Sequence, residues 1–290
     1  MRELVVLSGK GGTGKTSLAA SFAVLAGDAV VADCDVDAAD LHLVLAPRPR
    51  ERHDFVSGRQ ALIRPADCTG CGLCAELCRF AAIAMAARPD GTPVFRVDPI
   101  GCEGCGVCVR SCLAQAIDFP ECLCGEWLVS DTRCGSMVHA RLKAAAENSG
   151  KLVALVRREA RRLAEEEKRE RIIVDGPPGI GCPVIASLSG ASLVLAVTEP
   201  TVSGEHDLER VLSLARHFQV PVAACVNKWD LNPEMTERIE AKAAAAGARL
   251  AGRVRYDAGV TAAQLRERAV VETDAPCVDD IRAIWNNLQL

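Results

Sequence analysis

The 290-residue sequence predicts an α/β fold with a mostly parallel sheet, interrupted by a small inserted α+β domain. Three features indicate this. Short apolar runs of buried-strand type alternate with segments of helical length, as in parallel sheets covered on both faces. A glycine-rich loop separates the first such run from the first helix. The chain has fifteen cysteines, and eight of them form two similar runs in one short region.

The predicted strands are short and apolar. The first covers residues 4–7, and the spacing of Leu18, Phe22 and Leu25 after the glycine loop predicts a helix. A second helix is predicted over 152–171, with charges of both signs on its outer face. The other predicted strands are 29–32, 172–174, 193–197 and 222–226.

The alternation of apolar runs and helical segments stops at about residue 47. At 47–52 the apolar pattern gives way to Pro and Arg, which we interpret as a domain boundary. Residues 68–83 then match 102–117 at a constant offset of 34 residues. Repeats this small bury little apolar surface, so bound inorganic clusters are expected to supply their core. The alternating pattern returns after Glu126, so we predict a discontinuous α/β domain over 1–57 and 123–290 and an insert over 58–122.

The composition argues against nucleic-acid binding and against insertion in a membrane. The formal net charge is −4 and no basic stripe occurs, so nucleic acid is not an expected partner. The sequence has no signal peptide and no apolar run that approaches a membrane span, so we expect a cytoplasmic protein without stable membrane insertion. In that reducing compartment the cysteines are expected to bind metal rather than form disulfides.

Residues 9–16, GKGGTGKT, satisfy the Gly-x-x-x-x-Gly-Lys-Thr pattern between a strand and a helix. Backbone N–H groups of such a loop bind phosphate oxygens at the helix N-terminus. Lys15 is expected to reach the β- and γ-phosphates, and Thr16 to bind Mg²⁺ through its hydroxyl. The alternative is a glycine-rich turn that matches by chance, and the flanking elements argue against it. The predicted nucleotide-binding residues of the loop are Gly9, Gly11, Gly12, Thr13, Gly14, Lys15, Thr16 and Ser17.

Lys10 gives the loop the form Lys-Gly-Gly-x-Gly-Lys-Thr. This form resembles the deviant phosphate loop, or deviant Walker A motif, of the MinD/ParA family of P-loop ATPases. The family includes the nitrogenase iron protein and the Mrp-type iron–sulfur carriers. The resemblance implies that Lys10 reaches across a dimer interface to the partner's nucleotide, where a cation would stabilise phosphoryl charge. The alternative is a solvated lysine.

Two acidic segments also resemble the family. Residues 33–37 follow the second strand, as the family's first switch does, and Asp35 is the candidate for orienting the attacking water or a Mg²⁺-bound one. Residues 172–179 look like the Walker B strand and second switch, in which Asp175 would hold Mg²⁺ indirectly. The other candidates in the first segment, which an acidic solvated loop would also explain, are Asp33 and Asp37.

The base of the nucleotide is expected at residues 227–230, Asn-Lys-Trp-Asp, after a later strand. Asn227 is the candidate for bonding an adenine edge. The same tetrapeptide resembles the guanine-reading Asn-Lys-x-Asp of GTPases. We favour ATP, because the deviant loop belongs to an ATPase family.

Each cysteine run reproduces the bacterial ferredoxin pattern Cys-x-x-Cys-x-x-Cys-x-x-x-Cys, which implies two [4Fe–4S] clusters. In that fold the fourth cysteine of each run ligates the other cluster. Zinc is the alternative metal, but zinc sites need two Cys-x-x-Cys pairs rather than two tandem runs of four. The proline that ordinarily follows the fourth cysteine is replaced by Arg79 and Leu113. The expected ligand sets are Cys68, Cys71 and Cys74 with Cys112, and Cys102, Cys105 and Cys108 with Cys78.

Other cysteines have simpler interpretations. Cys225 lies in a predicted buried strand and is expected to pack in the core. Cys34 and Cys182 lie in the two switches and are also expected to pack, with redox sensing as the alternative. A further metal site is an alternative for the group Cys122, Cys124 and Cys134.

The resemblance covers nearly all of the chain outside the insert and is closest to MinD-superfamily ATPases with an inserted ferredoxin domain. It implies an ATP-driven redox machine or iron–sulfur carrier that acts as a homodimer, or as a heterodimer with a paralogue, on a redox or iron–sulfur partner protein. The alternative is a MinD-like positioning ATPase whose clusters only sense redox state. Against it, residues 280–290 predict a short helix with few basic residues, docked on the sheet rather than on lipid.

Overall fold

The computed structural model describes residues 1–143 and 149–289. They form two compact units. The first unit contains residues 1–53, 126–141 and 149–289, and the second contains 54–125 with 142 and 143. The strands are β1 Arg2–Ser8, β2 Val30–Asp33, β3 Arg48–Arg59, β4 Leu62–Ile63, β5 Ile83–Ala87, β6 Pro93–Val97, β7 Ile117–Asp118, β8 Glu121–Thr132, β9 Gly135–Leu142, β10 Arg171–Pro178, β11 Leu193–Thr198, β12 Val222–Asn227 and β13 Arg249–Val254. The α-helices are α1 Lys15–Ala26, α2 Leu41–Leu45, α3 Leu73–Glu76, α4 Val107–Ser111, α5 Ser149–Glu166, α6 Cys182–Leu188, α7 Val202–His217, α8 Pro233–Ala245, α9 Gly259–Gln264 and α10 Cys277–Leu288.

The large sheet has the order β13-β12-β11-β1-β10-β2-β9-β8-β3. The seven strands from β13 to β9 pair in parallel, with β1 between β10 and β11. All five strands predicted from short apolar runs are present in this parallel part. The carboxyl ends of parallel strands share one edge of a sheet, which brings the loops after β1, β2, β10, β11 and β12 to the same side.

The core of the first unit lies between the sheet and its helices. Leu4 and Val6 point from β1 toward Phe22 of α1, and all three side chains are fully buried. Ile281 and Ile284 of α10 join the same cluster. The predicted C-terminal helix is therefore docked on the sheet, although Leu290 lies outside the described residues.

Residues 47–52, which the sequence predicts as a domain boundary, lie at the start of the long strand β3, and the first unit gives way to the second after residue 53. β3 stands last in the sheet order, where a proline lacking its N–H and charged side chains are tolerated because one side of the strand needs no partner. The helix predicted over 152–171 ends at Glu166, because Lys168 adopts a left-handed conformation with φ 55°.

The second unit contains the cysteine repeat and two small antiparallel sheets. β4 pairs with β7, and β5 pairs with β6. Under the offset of 34 residues, Ile63 of β4 corresponds to Val97 of β6, and Ile83 of β5 to Ile117 of β7. Each sheet therefore joins a strand of one repeat to a strand of the other. The core of the second unit combines a few aliphatic side chains with cysteines of both runs.

No helix in residues 1–143 or 149–289 is both long and apolar enough to cross a membrane.

Candidate nucleotide and cysteine sites

The glycine loop lies between β1 and α1, as the sequence predicted. Gly14 caps α1 with φ 89°, and a Cβ at this position would collide with the Asn227 side chain. A cavity of about 500 Å³ lies at the N-terminus of α1, where the N–H groups of the first turn have no partners within the helix. Its lining includes Gly11, Gly12, Gly14, Lys15, Thr16, Ser17, Asp35, Asn227, Lys228 and the segment 254–257.

Lys15 and Asp35 form a buried ion pair at the base of the loop. The Lys15 Nζ lies 2.7 Å from Asp35 Oδ2, and both side chains are less than a tenth exposed. Burial opposes the charge of Lys15, but Asp175 and Asp35 outweigh it, so the pKa of Lys15 is raised. The loop cation is therefore fully charged and ready to meet phosphate.

Asp33 and Asp175 lie side by side on the paired strands β2 and β10, and both are fully buried. Burial, reinforced by Asp175, raises the pKa of Asp33 well above its usual range. Burial also raises the pKa of Asp175 to about 6, although Lys15 and the Thr16 hydroxyl oppose this rise. The Thr16 hydroxyl lies near enough to stabilise the charge of Asp175. Within the described residues, however, neither Asp175 oxygen makes a hydrogen bond of normal geometry. Asp33 Oδ2 also lacks a hydrogen-bond partner.

These unpartnered oxygens fit a divalent cation. Mg²⁺ prefers oxygen ligands and is usually held through one or two carboxylates, water and substrate phosphate. The Thr16 hydroxyl and Asp35 supply such oxygens at the cavity, and the fully buried Asp175 lies next to Thr16. Asp37, the remaining carboxylate of the first switch, is exposed.

Lys10 does not extend freely into solvent. Its Nζ lies 2.5 Å from Glu199 Oε1 and donates to Ser203 Oγ at 3.1 Å. Lys228 pairs with the other oxygen of Glu199 and donates to the Gly12 carbonyl. No motif in the sequence predicts that Glu199 pairs with Lys10. The position of Glu199 immediately after a buried strand, at the edge where the glycine loop lies, was the available signal.

The segment predicted to read the base contributes Asn227 and Lys228 to the lining of the cavity. Asn227 Nδ2 donates to the Thr13 carbonyl at 2.8 Å, which ties β12 to the glycine loop. Asp230 accepts the Tyr256 N–H at 2.7 Å. Sequence reasoning missed Gln264, which donates to Ser17 Oγ at 3.0 Å, and the segment 254–257, because neither carries a motif.

The second unit brings the eight motif cysteines into two groups. One small apolar cavity is lined by Cys68, Cys71, Cys74 and Cys112. In the other group, burial raises the pKa of the Cys108 thiol. The neighbouring thiols that raise this pKa further are Cys102, Cys105 and Cys78. Each group takes three cysteines from one run and the fourth from the other run.

Each group offers four thiols, which is the kind and number of protein ligands that a [4Fe–4S] cluster takes. Among the described residues, no three His, Cys, Asp or Glu side chains converge as they would on one ion. The cysteine sulfurs of a [4Fe–4S] cluster bind four different irons, so they stand further apart. The Ala116 N–H donates to Cys112 Sγ at 3.4 Å, the kind of hydrogen bond that tunes cluster sulfurs.

The remaining cysteines divide between core and surface. Cys34 and Cys225 are fully buried, as predicted. Cys182 is exposed, so its predicted packing is wrong: it occupies the first turn of α6, on the side away from the buried Val184. Cys134 packs in the apolar core of the first unit, whereas Cys122 and Cys124 belong to the second.

Comparison with known proteins gives consistent results. Residues 4–270 match the model of the CobQ/CobB/MinD/ParA nucleotide-binding domain. The chain is 31% identical over 233 residues to an uncharacterized protein of Methanocaldococcus jannaschii, with 79% of each chain covered.

Similar solved structures include the cell division ATPase MinD of Pyrococcus furiosus, with 16% identity, a TM-score of 0.59 and 99% and 98% of the two chains covered. The septum site-determining protein MinD of Pyrococcus horikoshii, complexed with Mg-ADP, has 15% identity, a TM-score of 0.58 and coverages of 99% and 95%. At these identities the likeness concerns the fold.

Proposed function

Because the chain belongs to the CobQ/CobB/MinD/ParA family of nucleotide-binding proteins, we propose that it is an ATPase that couples a nucleotide-dependent dimer switch to iron–sulfur chemistry. MinD/ParA P-loop ATPases hydrolyse ATP, so the ATPase activity follows from the family. The iron–sulfur part is electron transfer, or delivery of a cluster, to a partner protein. The observation that carries it is the assembly of eight cysteines into two groups of four, each group crossing between the two runs.

For ATP, the glycine loop supplies N–H groups and Lys15 supplies the principal cation for the phosphates. Binding of phosphate would release Lys15 from Asp35, and the freed carboxylate would then orient the attacking water. Thr16 and Asp175 would hold Mg²⁺, which neutralises phosphate charge and uses the unpartnered oxygens of Asp175. Lys10 would act on the nucleotide of a second protomer.

For the clusters, the cysteines are the proposed ligands, and a [4Fe–4S] cluster supplies a redox centre whose potential its surroundings set. This chain contributes a backbone N–H to Cys112 and a largely apolar surround, formed by Ile63, Phe95 and Ile117. Both features tune cluster potential. Such thiol ligands require a reducing compartment, and we place the protein in the cytoplasm.

Metal analysis of anaerobically purified protein tests the cluster assignment. We expect about eight irons and eight acid-labile sulfides per chain. Paired variants test the crossed grouping: Cys68→Ala with Cys112→Ala should retain about four irons, because both changes fall in one set. Cys68→Ala with Cys102→Ala should retain almost none, because each set loses a ligand.

Cys182→Ala is the matched control, because this exposed cysteine lies outside the second unit and its loss should leave iron content unchanged. Stoichiometric zinc without labile sulfide would contradict the proposal. If both paired variants lose almost all of their iron, each run binds its own cluster and the crossed grouping is wrong.

A further inference from the structure

Glu199 is a carboxylate shared by two lysines of the nucleotide site. It follows β11, and its side chain is only 17% exposed. One oxygen lies 2.5 Å from Lys10 Nζ, and the other lies 3.3 Å from Lys228 Nζ. The two lysines in turn lower the pKa of Glu199 against the effect of its burial. We call Lys10, Glu199 and Lys228 the lysine–carboxylate cluster.

The backbone around Glu199 is fixed by its neighbours. Thr198 Oγ1 donates to the Gly204 carbonyl at 2.8 Å, and Thr201 Oγ1 accepts the Gly204 N–H at 3.0 Å to cap α7. Thr201 Oγ1 and Ser203 Oγ also accept hydrogen bonds from Lys10. The first turn of α7 therefore offers Lys10 a complete set of acceptors on its own chain.

Lys228 fastens the same carboxylate to the glycine loop. Its Nζ donates to the Gly12 carbonyl at 3.2 Å as well as to Glu199. The Lys228 backbone is left-handed, with φ 57°, and its N–H is bonded to the Asn227 side chain. These contacts orient Lys228 independently of Lys10, so Glu199 has a second lysine partner besides Lys10.

We propose that Glu199 is a positioning residue of the ATPase that holds Lys10 on its own protomer and thereby opposes ATP-dependent dimerisation. The inference rests on the proposed action of Lys10 in trans. Lys10 cannot contact Glu199 at 2.5 Å and a partner's nucleotide at once, so each protomer must break this pair to join the dimer. A ligand shifts an equilibrium only through such differences between two states.

The expected effect is modest for one protomer and larger for the pair. Lys10 is 31% exposed, and a partly exposed ion pair changes an equilibrium constant by about two- to fivefold. Two pairs break in each dimer, and the factors multiply. Glu199→Gln, which keeps the shape and removes the charge, should therefore lower the protein concentration of half-dimerisation by about tenfold.

The test measures dimerisation by analytical ultracentrifugation with Mg²⁺ and a non-hydrolysable ATP analogue, over a series of protein concentrations. Glu209→Gln is the matched control, since it also removes one negative charge. Glu209 lies on α7 and contacts Lys242 rather than Lys10 or the glycine loop. Glu199→Gln should shift the half-dimerisation concentration and Glu209→Gln should not. High salt should narrow the difference, because it screens partly exposed charges.

A second measurement follows Lys10 in the nucleotide-free monomer. Mass spectrometry after brief amine labelling should find Lys10 labelled several-fold faster in Glu199→Gln than in the wild type. A purely structural effect of the substitution would not confine faster labelling to Lys10 and Lys228. Unchanged Lys10 labelling would overturn the inference.

Two further variants separate the possible failures. If Lys10→Ala abolishes dimerisation but Glu199→Gln leaves it unchanged, Lys10 acts in trans and the inference about Glu199 is wrong. If Lys10→Ala dimerises normally with the analogue, the proposed action of Lys10 itself fails. If Lys228→Gln alone reproduces the whole effect of Glu199→Gln, release of Lys10 is not its cause and the inference also fails.

Discussion

Individual buried charges at the nucleotide site are arranged for a ligand rather than for stability. Asp33 and Asp175 are fully buried with oxygens that lack hydrogen-bond partners, an arrangement that costs free energy in the nucleotide-free state. Lys15 compensates only part of this acidity because its closest contact is Asp35. Mg²⁺ and phosphate would satisfy these groups together, which links the stability of the first unit to nucleotide binding.

His139 is a buried titratable group that affects how stability depends on pH. Its Nε2 lies 2.8 Å from Ser130 Oγ in the first unit, and it is 5% exposed. Burial, followed by Arg141 and His42, lowers its pKa to about 4. Between about pH 6.5 and pH 4 the unfolded state therefore binds a proton that the folded state does not, so stability falls as the pH is lowered through this range.

We predict that His139→Gln removes this part of the pH dependence. From pH 7 to about pH 4 the wild type should lose up to about 3 kcal/mol more of its free energy of unfolding than the variant. Urea unfolding followed by Trp fluorescence measures it, because Trp127, Trp229 and Trp285 all lie in the first unit. The same substitution at His217, exposed on α7, is the control. Parallel profiles of wild type and His139→Gln would contradict the prediction.

At the scale of elements, the second unit depends on close approach of its loops. Gly104, between the first two cysteines of the second run, has φ 62°. A Cβ there would collide with the Arg59 carbonyl at the end of β3. The loop of the second run therefore lies against the strand that leads into the repeat, and only glycine permits this contact.

Gly104→Ala should disrupt that loop and lose about four of the eight irons, because the collision involves backbone that cannot turn away. Gly91→Ala is the matched control. Gly91 also has a positive φ, of 81°, but its Cβ would meet nothing within 4 Å. That variant should lose about 1 kcal/mol of stability from backbone strain and keep its iron. Equal iron content in the two variants would show that the contact with Arg59 is not needed.

At the scale of the whole chain, the insert separates the two switches in sequence. The chain leaves the first unit after Asp35 and returns to it before Asp175. A change in either switch on binding ATP can therefore reach the insert through its covalent connections. If the two functions are coupled, the coupling must be reciprocal: the nucleotide alters the cluster potentials, and reduction of the clusters alters nucleotide affinity by the same factor.

We predict that a non-hydrolysable ATP analogue shifts the midpoint potential of at least one cluster. A typical coupling of about 1–3 kcal/mol corresponds to roughly 40–130 mV for a one-electron step. Asp175→Asn should reduce the shift without touching a cluster cysteine, while Asp279→Asn, at an exposed position of α10, should not. Redox titration with and without the analogue measures it. Identical potentials and redox-independent nucleotide affinity would instead favour a positioning ATPase whose clusters only sense redox state.

The sequence by itself determined the features that depend on neighbouring residues. The glycine loop, its flanking strand and helix, and the four other predicted strands all follow from composition and spacing over a few residues, and the structure confirms their positions. The spacing within each cysteine run predicted two sets of four ligands, and the crossed grouping of these sets is implied by the resemblance to bacterial ferredoxins. Local patterns suffice here because strand burial and loop geometry are decided by adjacent side chains and backbone freedom.

Only the tertiary structure decided the contacts between distant segments. The 47–52 segment became a strand because a neighbouring strand was available at the end of the sheet, which its prolines and arginines alone could not indicate. Lys10 and Glu199 are 189 positions apart, and Ser17 and Gln264 are 247 apart. Such pairs form because parallel strands bring the loops at their carboxyl ends to one edge of the sheet. That convergence is a property of strand order, which no local pattern in the sequence records.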